Sequence, residues 1–374
     1  MKNILLVGEK YSSNLGDGII YDTVYKLLNN NKYNIINMDI SGRTIYENDT
    51  NSFSLFKEYK VYIKSLIKKI LSFFKYNKMG KNLSKIFGEF KNQFDYLVMN
   101  NHIDYVIFAG GQMFIDTFIN QIEYICNYCD KNSISVIFNS CGTGNILNEK
   151  ALEKVLQSNA VKYISLRDGY EKILSYTGKK VFVCCDNAVY CSNTYKFQRR
   201  ENGICGIGIM FSTLQSPMKQ IVFWKKIIKE LLKEKIEFKL FTNGSYKDYC
   251  FAKYILKKMN LNIEQYLLIQ PKEPIQLVKQ ISSFEKIISM RLHSMIVAYS
   301  YNIPSIAICW DYKVNEFFSK IGLKENCYKL NSKTYEIIDH FKRINNDTID
   351  RNIKKELLVE IDNNIKKIKK IIEK

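Results

Sequence analysis

The chain has few of the features that announce a secreted, membrane-spanning or metal-bound protein. Among its 374 residues there are four prolines, two tryptophans and three histidines. No run approaches the roughly 20 apolar residues needed to cross a bilayer. The first apolar run, Ile4-Leu5-Leu6-Val7-Gly8, is too short for a signal-peptide core and reads as a buried strand. A cytoplasmic location is therefore expected. The ten cysteines sit singly in apolar segments, as at Cys141, Cys205 and Cys309. Cys126 and Cys129 form a Cys-x-x-Cys pair, but no second pair lies at a matching spacing, so they read as core residues. Cys184-Cys185, at a strand end, reads the same way. No nucleic-acid-binding motif, no internal repeat and no carboxylate cluster suited to an obligatory metal is visible.

What is abundant is positive charge. Lys and Arg number 56 against 37 Asp and Glu, a formal net charge of +19. Two readings stay open. One is an anionic partner, whether a phosphate donor, nucleic acid or an anionic membrane, and the other is the Lys/Asn/Ile-rich composition of an AT-rich genome. With 46% hydrophobic and 25% charged residues the chain is globular, and its length is too great for one core.

Short apolar runs alternate with helical segments. Strands are expected at 3–8, 33–40, 105–110, 135–140, 162–167 and 180–185. After a polar break they are expected again at 204–211, 237–242, 287–289 and 305–310. Near-continuous apolar runs indicate strands covered on both faces of a parallel sheet. The expected fold is α/β, with two doubly wound Rossmann-like domains facing a cleft. Residues 1–190 form the first domain, with a basic helical insertion at 51–95. Residues 191–203 form a linker, 204–345 a donor-binding domain, and 346–374 a C-terminal Lys/Ile-rich helix. Within the insertion, Tyr59, Ile63, Leu66, Ile67, Ile70, Leu71 and Phe74 recur at helical spacing. Lysines dominate the other positions between 55 and 81. Such a helix suits an anionic bilayer surface, or else packs its apolar stripe on the N-terminal domain.

Candidate chemistry collects at strand ends. Asn14-Leu15-Gly16-Asp17-Gly18 follows the first strand. Its glycines permit close backbone approach, and Asp17 either serves a ligand or caps a helix. Gly110-Gly111 after the third strand allow a backbone nest for an anion or a sugar hydroxyl. Arg167, in Ser165-Leu166-Arg167-Asp168, presents a guanidinium suited to carboxylate or phosphate, or pairs with Asp168 at the surface. The strongest segment is Met290-Arg291-Leu292-His293-Ser294. His293 is the one histidine at such a strand-to-helix turn, and its titration range suits proton transfer. Arg291 offers a two-pronged clamp, and Ser294 can cap the helix or hydrogen-bond an anion. Lys313, following Trp310-Asp311-Tyr312, can neutralise a phosphate, or is an exposed loop lysine.

Taken in order, these blocks resemble the polysaccharide pyruvyl transferase family over nearly the whole chain. The Arg291-Leu292-His293-Ser294 block with its downstream Lys313 is the most specific part. The resemblance implies a two-domain glycosyltransferase-like fold. It also implies transfer from phosphoenolpyruvate, as co-substrate and without a further cofactor, to a sugar of a cell-surface glycan or its lipid-linked precursor, leaving a pyruvate ketal. It implies that Arg291, Leu292 and His293 contact phosphoenolpyruvate, that Arg167 and Lys313 grip it from opposite sides, and that Asp17 lies near donor or acceptor. Two departures are visible. Gln112 stands where a third glycine is common, and Cys185-Asp186-Asn187-Ala188 replaces Asp-Pro-Ala. Neither is expected to touch the proton-transfer centre. The competing expectations are glycosyl transfer from a nucleotide sugar on the same fold, and a glycan- or nucleic-acid-binding module without activity.

Overall fold

A computed structural model describes residues 1–46, 53–71, 81–144, 146–199 and 203–374, without the side chains of 66–71 and 81–83. Phe74 of the expected apolar stripe and residues 200–202 of the expected linker lie outside the described residues.

The first sheet contains β1 (Lys2–Gly8), β2 (Tyr33–Asp39), β3 (Tyr105–Phe108), β4 (Gly111–Phe114), β5 (Ser135–Thr143), β6 (Val161–Leu166) and β7 (Val181–Val183). Its order is β2-β1-β3-β5-β6-β7, with β4 beside β5, and every pairing is parallel. The second sheet contains β8 (Cys205–Gly208), β9 (Phe238–Phe241), β10 (Ile287–Ser289), β11 (Ser305–Ile308) and β12 (Cys327–Tyr328), in the parallel order β12-β11-β10-β8-β9. The central strands are buried along their whole length, which their uninterrupted apolar runs require. Strands β4 and β12 have no such run. The turn into β4 is made by Gly110 and Gly111, at φ +106° and +80°, a region open to glycine. Strand order reverses between β1 and β3 in the first sheet and between β8 and β10 in the second. Crevices at the carboxyl ends of such strands are where ligands bind in this architecture.

The domains are joined by packing as well as by chain. One apolar cluster runs from Ile4, Ile19 and Val24 of the first half to Val278, Met295 and Tyr299 of the second. The expected linker contributes to it. Cys191–Tyr195 is helical, Cys191 is buried, and the Tyr195 hydroxyl donates to Asp22 at 2.7 Å while the Ser192 amide donates to Ser300 at 2.7 Å. The C-terminal helix, Arg351–Ile372, returns to the first domain. It buries Leu357, Ile361, Ile365, Ile368 and Ile372, and Asn364 accepts from the Tyr163 hydroxyl at 2.7 Å and donates to Asn139 at 2.6 Å.

The insertion helices divide their allegiance. Lys81–Asn100 covers the first sheet through Phe90 and Phe94. Leu55–Leu71 begins on the second domain instead, a correction to its expected seat on the first. Phe53 packs on Phe211, Phe251 and Tyr254, Glu58 pairs with Lys247 at 2.5 Å, and Ser65 donates to the Thr213 carbonyl at 3.4 Å. A basic helix docked by a cluster of aromatic rings goes where the rings find partners, and those rings belong to the second domain.

Candidate active site

The site is assembled where the first helix, Leu15–Leu28, meets the helix Leu292–Ser300 across the domain junction. The Leu15 amide donates to the Asn243 carbonyl of the second domain at 2.9 Å. Ser294, buried, donates to the Asn243 side chain. Gly16 and Gly18 are needed for this approach. A β-carbon at Gly16 would lie 2.4 Å from the His293 ring, and one at Gly18 would lie 2.8 Å from Pro274. Asn14, rather than Asp17, occupies the helix cap position. The Asp17 carboxylate accepts from Asn14 Nδ2 at 2.9 Å and from the Ser12 hydroxyl at 3.3 Å.

His293 sits in the first turn of its helix and is 8% exposed. Its Nδ1 lies 3.9 Å from Asp17 Oδ1 and its Nε2 lies 3.7 Å from Asp186 Oδ2. Nε2 has no hydrogen-bond partner. The imidazole therefore stands between two carboxylates of the opposite domain. This corrects the expectation that the 185–188 departure lies away from the proton-transfer centre. Asp186 follows β7 at the carboxyl edge of the sheet, the one positional signal by which sequence could have found it.

Asp186 is also the anchor of Arg167. Its Oδ1 accepts from the Ala188 amide at 2.8 Å, and its Oδ2 forms a close ion pair with Arg167 Nη1. Burial alone would raise the Asp186 pKa, but Arg167 and then His293 hold it well below the usual carboxylate range. Arg167 is buried too, with Nε 3.4 Å from Asp168, and its carboxylate neighbours outweigh the cost of burying its charge. Gly142 makes room for it, since a β-carbon there would lie 2.6 Å from Arg167 Nε.

From the second domain Lys313 reaches across and donates to the Thr143 carbonyl at 2.6 Å. Burial lowers its pKa, against the pull of the neighbouring Asp168. Asp168 in turn accepts from the Thr143 hydroxyl at 3.0 Å. A cavity of about 790 Å³ opens here, bordered by Arg167, Asp186, Leu292, Lys313, Lys320 and Lys324. Two nearly buried cations from opposite domains, backed by a histidine, suit a small anion that needs proton transfer.

The other expected residues lie elsewhere. Arg291 turns back into its own domain, where Nε and Nη2 both reach Asp248 Oδ2, at 3.1 and 2.5 Å. Asp248 is buried and also accepts from the Phe211 amide at 2.9 Å. Gly110 and Gly111 shape the β3–β4 turn, and a β-carbon at Gly110 would lie 2.9 Å from the Asn139 carbonyl. Neither they nor Asn14, Asp17, Arg291, His293 and Ser294 border the cavity, and His293 meets it through Asp186. No group of three or more His, Cys, Asp or Glu side chains among the described residues is arranged to hold a metal ion.

Two parallel α/β domains with their strand ends turned toward a shared, cation-lined cleft define a protein of the GT-B fold class. The solved structures it resembles agree. The UDP-GlcNAc 2-epimerase of Methanocaldococcus jannaschii, in complex with UDP-GlcNAc and UDP, is 12% identical over 96% of this chain and 99% of its own, at a TM-score of 0.54. The UDP-GlcNAc 2-epimerase of Neisseria meningitidis, bound to UDP-GlcNAc, is 14% identical over 96% of this chain and 99% of its own, at 0.55. A putative UDP-N-acetylglucosamine 2-epimerase of Listeria monocytogenes is 11% identical over 98% of both chains, at 0.58. At these identities the likeness is one of fold. No curated protein sequence matches significantly. The profile of the polysaccharide pyruvyl transferase family matches residues 14–312, and the chain belongs to that family.

Proposed function

We propose that the protein transfers a pyruvyl unit from phosphoenolpyruvate to two hydroxyls of a sugar in a cell-surface glycan or its lipid-linked precursor. The observation that carries this reading is the setting of His293, between Asp17 and Asp186, where Asp186 borders a cavity walled also by Arg167 and Lys313. Phosphoenolpyruvate carries two anionic groups on a three-carbon frame, so it calls for cations on more than one side. The balance of the reaction is simple. His293 as imidazolium donates a proton to the vinyl carbon, and a sugar hydroxyl adds to the neighbouring carbon, its proton returning to the imidazole. A second hydroxyl then displaces phosphate, which takes up that hydroxyl's proton and leaves as hydrogen phosphate. Asp17 and Asp186 flank the imidazole, and Arg167 and Lys313 balance the carboxylate and the departing phosphate. No cofactor is needed in this scheme.

The same reading has the enzyme working on the cytoplasmic side, at the membrane surface. Among the described residues no helix is long and apolar enough to cross a membrane. The outward face of the insertion helix carries Phe56 and Ile63, 72% and 51% exposed, among Lys57, Lys60 and Lys64. That combination suits adsorption to anionic lipid.

The deciding experiment is thermal unfolding with phosphoenolpyruvate and, separately, with a nucleotide sugar, followed by phosphate release across an acceptor panel. Protection by phosphoenolpyruvate and acceptor-dependent release of phosphate are expected. Protection by the nucleotide sugar alone would replace pyruvyl transfer with glycosyl transfer.

A further inference from the structure

A second cavity, of about 890 Å³, opens at the carboxyl ends of β11 and β12. Lys219, Lys226, Lys329 and Lys333 stand around it, all of them exposed. Lys333 pairs with Glu336 at 3.3 Å, while the other three ammonium groups form no ion pair among the described residues. The helices Pro217–Lys233, Tyr312–Lys320 and Thr334–Arg343 all begin at its edge. Their amide ends add positive potential to that of the lysines. The single carboxylate in the lining, Asp311, is already engaged by the Lys313 amide at 3.2 Å. So the cavity concentrates cationic character that the protein itself leaves largely unanswered.

Its other walls are aromatic and apolar. Trp310 is fixed by its indole N–H, which donates to the Met290 carbonyl at 2.8 Å. Tyr312 is 54% exposed, and Met218 and Val222 are 46% and 43% exposed along the same helix. Aromatic faces of this kind stack on sugar rings or bases. Asn315 and Lys329 border this cavity and the cleft cavity alike, so the two are contiguous.

We propose that this second cavity binds the diphosphate of the acceptor, a sugar esterified to diphosphate. The lysines meet the phosphates, Trp310 and Tyr312 meet the sugar, and the acceptor hydroxyls face the cleft. The proposal rests on the pyruvyl-transfer reading for the word acceptor. It does not rest on that reading for the presence of a diphosphate site. Sugar diphosphates come from two sources, lipid carriers and nucleotides, and the exposed Met218 and Val222 beside the lysines suit an alkyl chain.

The test uses the whole chain and the variant Lys219→Glu/Lys226→Glu, whose two positions are exposed and outside the cleft cavity. Thermal protection is titrated with inorganic pyrophosphate, decyl diphosphate, UDP and phosphoenolpyruvate. Pyrophosphate is expected to protect the wild type with phosphoenolpyruvate already saturating. The variant is expected to need roughly tenfold more of it or beyond, since two charge-assisted contacts are reversed. Phosphoenolpyruvate protection should be the same in both proteins. Tighter binding of decyl diphosphate than of UDP assigns the lipid-carried source, and the reverse order assigns the nucleotide source. Unchanged pyrophosphate binding in the variant overturns the proposal. So does loss of the pyrophosphate effect under saturating phosphoenolpyruvate, or no protection by any diphosphate. Failure of phosphoenolpyruvate alone to protect would instead count against pyruvyl transfer and leave the diphosphate site standing.

Discussion

Gly16 and His293 are in contact through a space that only a hydrogen atom can fill. A β-carbon at Gly16 would stand 2.4 Å from the imidazole, so the first helix and the histidine approach one another because position 16 has no side chain. Gly16→Ala is expected to displace either the ring or the helix start. Turnover should fall by tenfold or more, roughly the effect of an ångström-scale misplacement. The two domain cores should stay folded, since neither depends on this contact. Activity within a factor of about two of wild type, measured beside an unchanged melting curve, would show that the close approach is not needed.

His293→Ala should remove roughly 10²–10⁴ of the rate, the usual contribution of a general acid or base. Asp186→Asn should do less to the chemistry than loss of the histidine but should also weaken donor binding, because the same carboxylate anchors Arg167. Steady-state kinetics separates the two. The histidine variant should lose kcat with KM for the donor nearly unchanged, and the asparagine variant should change both.

The three cations expected at the site should part company in a similar test. Arg167→Ala and Lys313→Ala border the cavity and should chiefly raise the donor KM. Arg291 holds the buried Asp248, so Arg291→Ala leaves a carboxylate short of its partner. A cost of about 1–3 kcal/mol in stability is expected, visible as a lowered Tm. Arg291→Lys should recover only part of it, because an ammonium cannot reproduce two N–H contacts to one oxygen. If Arg291→Ala kept the wild-type Tm and raised the donor KM instead, Arg291 would belong to the donor site.

A pH dependence follows from Glu9. Burial first, and then the charge of Asp17, push its pKa up from 4.5 to about 8, against the pull of Arg43 3.4 Å away. The folded protein thus keeps a proton that the unfolded chain releases near pH 4.5. Where the native state binds more protons, stability falls with rising pH. The Glu9 contribution is therefore complete below about pH 4.5 and is lost as pH rises toward 8. Glu9→Gln cannot ionise, so its Tm relative to wild type should climb across that window. A constant difference across it would show that Glu9 titrates normally.

Adsorption to membranes is expected to follow the outward face of the insertion helix. Each lysine near an anionic surface contributes about 1 kcal/mol, so three should give measurable co-sedimentation with anionic vesicles. Binding should weaken in high salt and in Lys57→Ala/Lys60→Ala/Lys64→Ala. Equal binding to neutral and anionic lipid, or none to either, would remove the membrane surface from the proposed function.

What the sequence determined by itself was local and repetitive. Apolar runs such as Tyr105–Phe108 and Ser305–Ile308 can only be strands buried on both faces, so the alternation of strand and helix implied two parallel sheets. The Arg291–Ser294 block was legible because strand ends of a parallel sheet converge on its crevice. Tertiary structure alone decided the partners. Whether Arg291 faced a ligand or Asp248, whether Asp186 reached His293, and which domain received Phe53 depended on how the two sheets and their helices pack. A single aspartate carries no periodicity, and its charge finds its counterpart only after segments distant in sequence are brought within a few ångströms. Helix and strand follow from neighbours along the chain, whereas the proton-transfer site follows from neighbours across the domain junction.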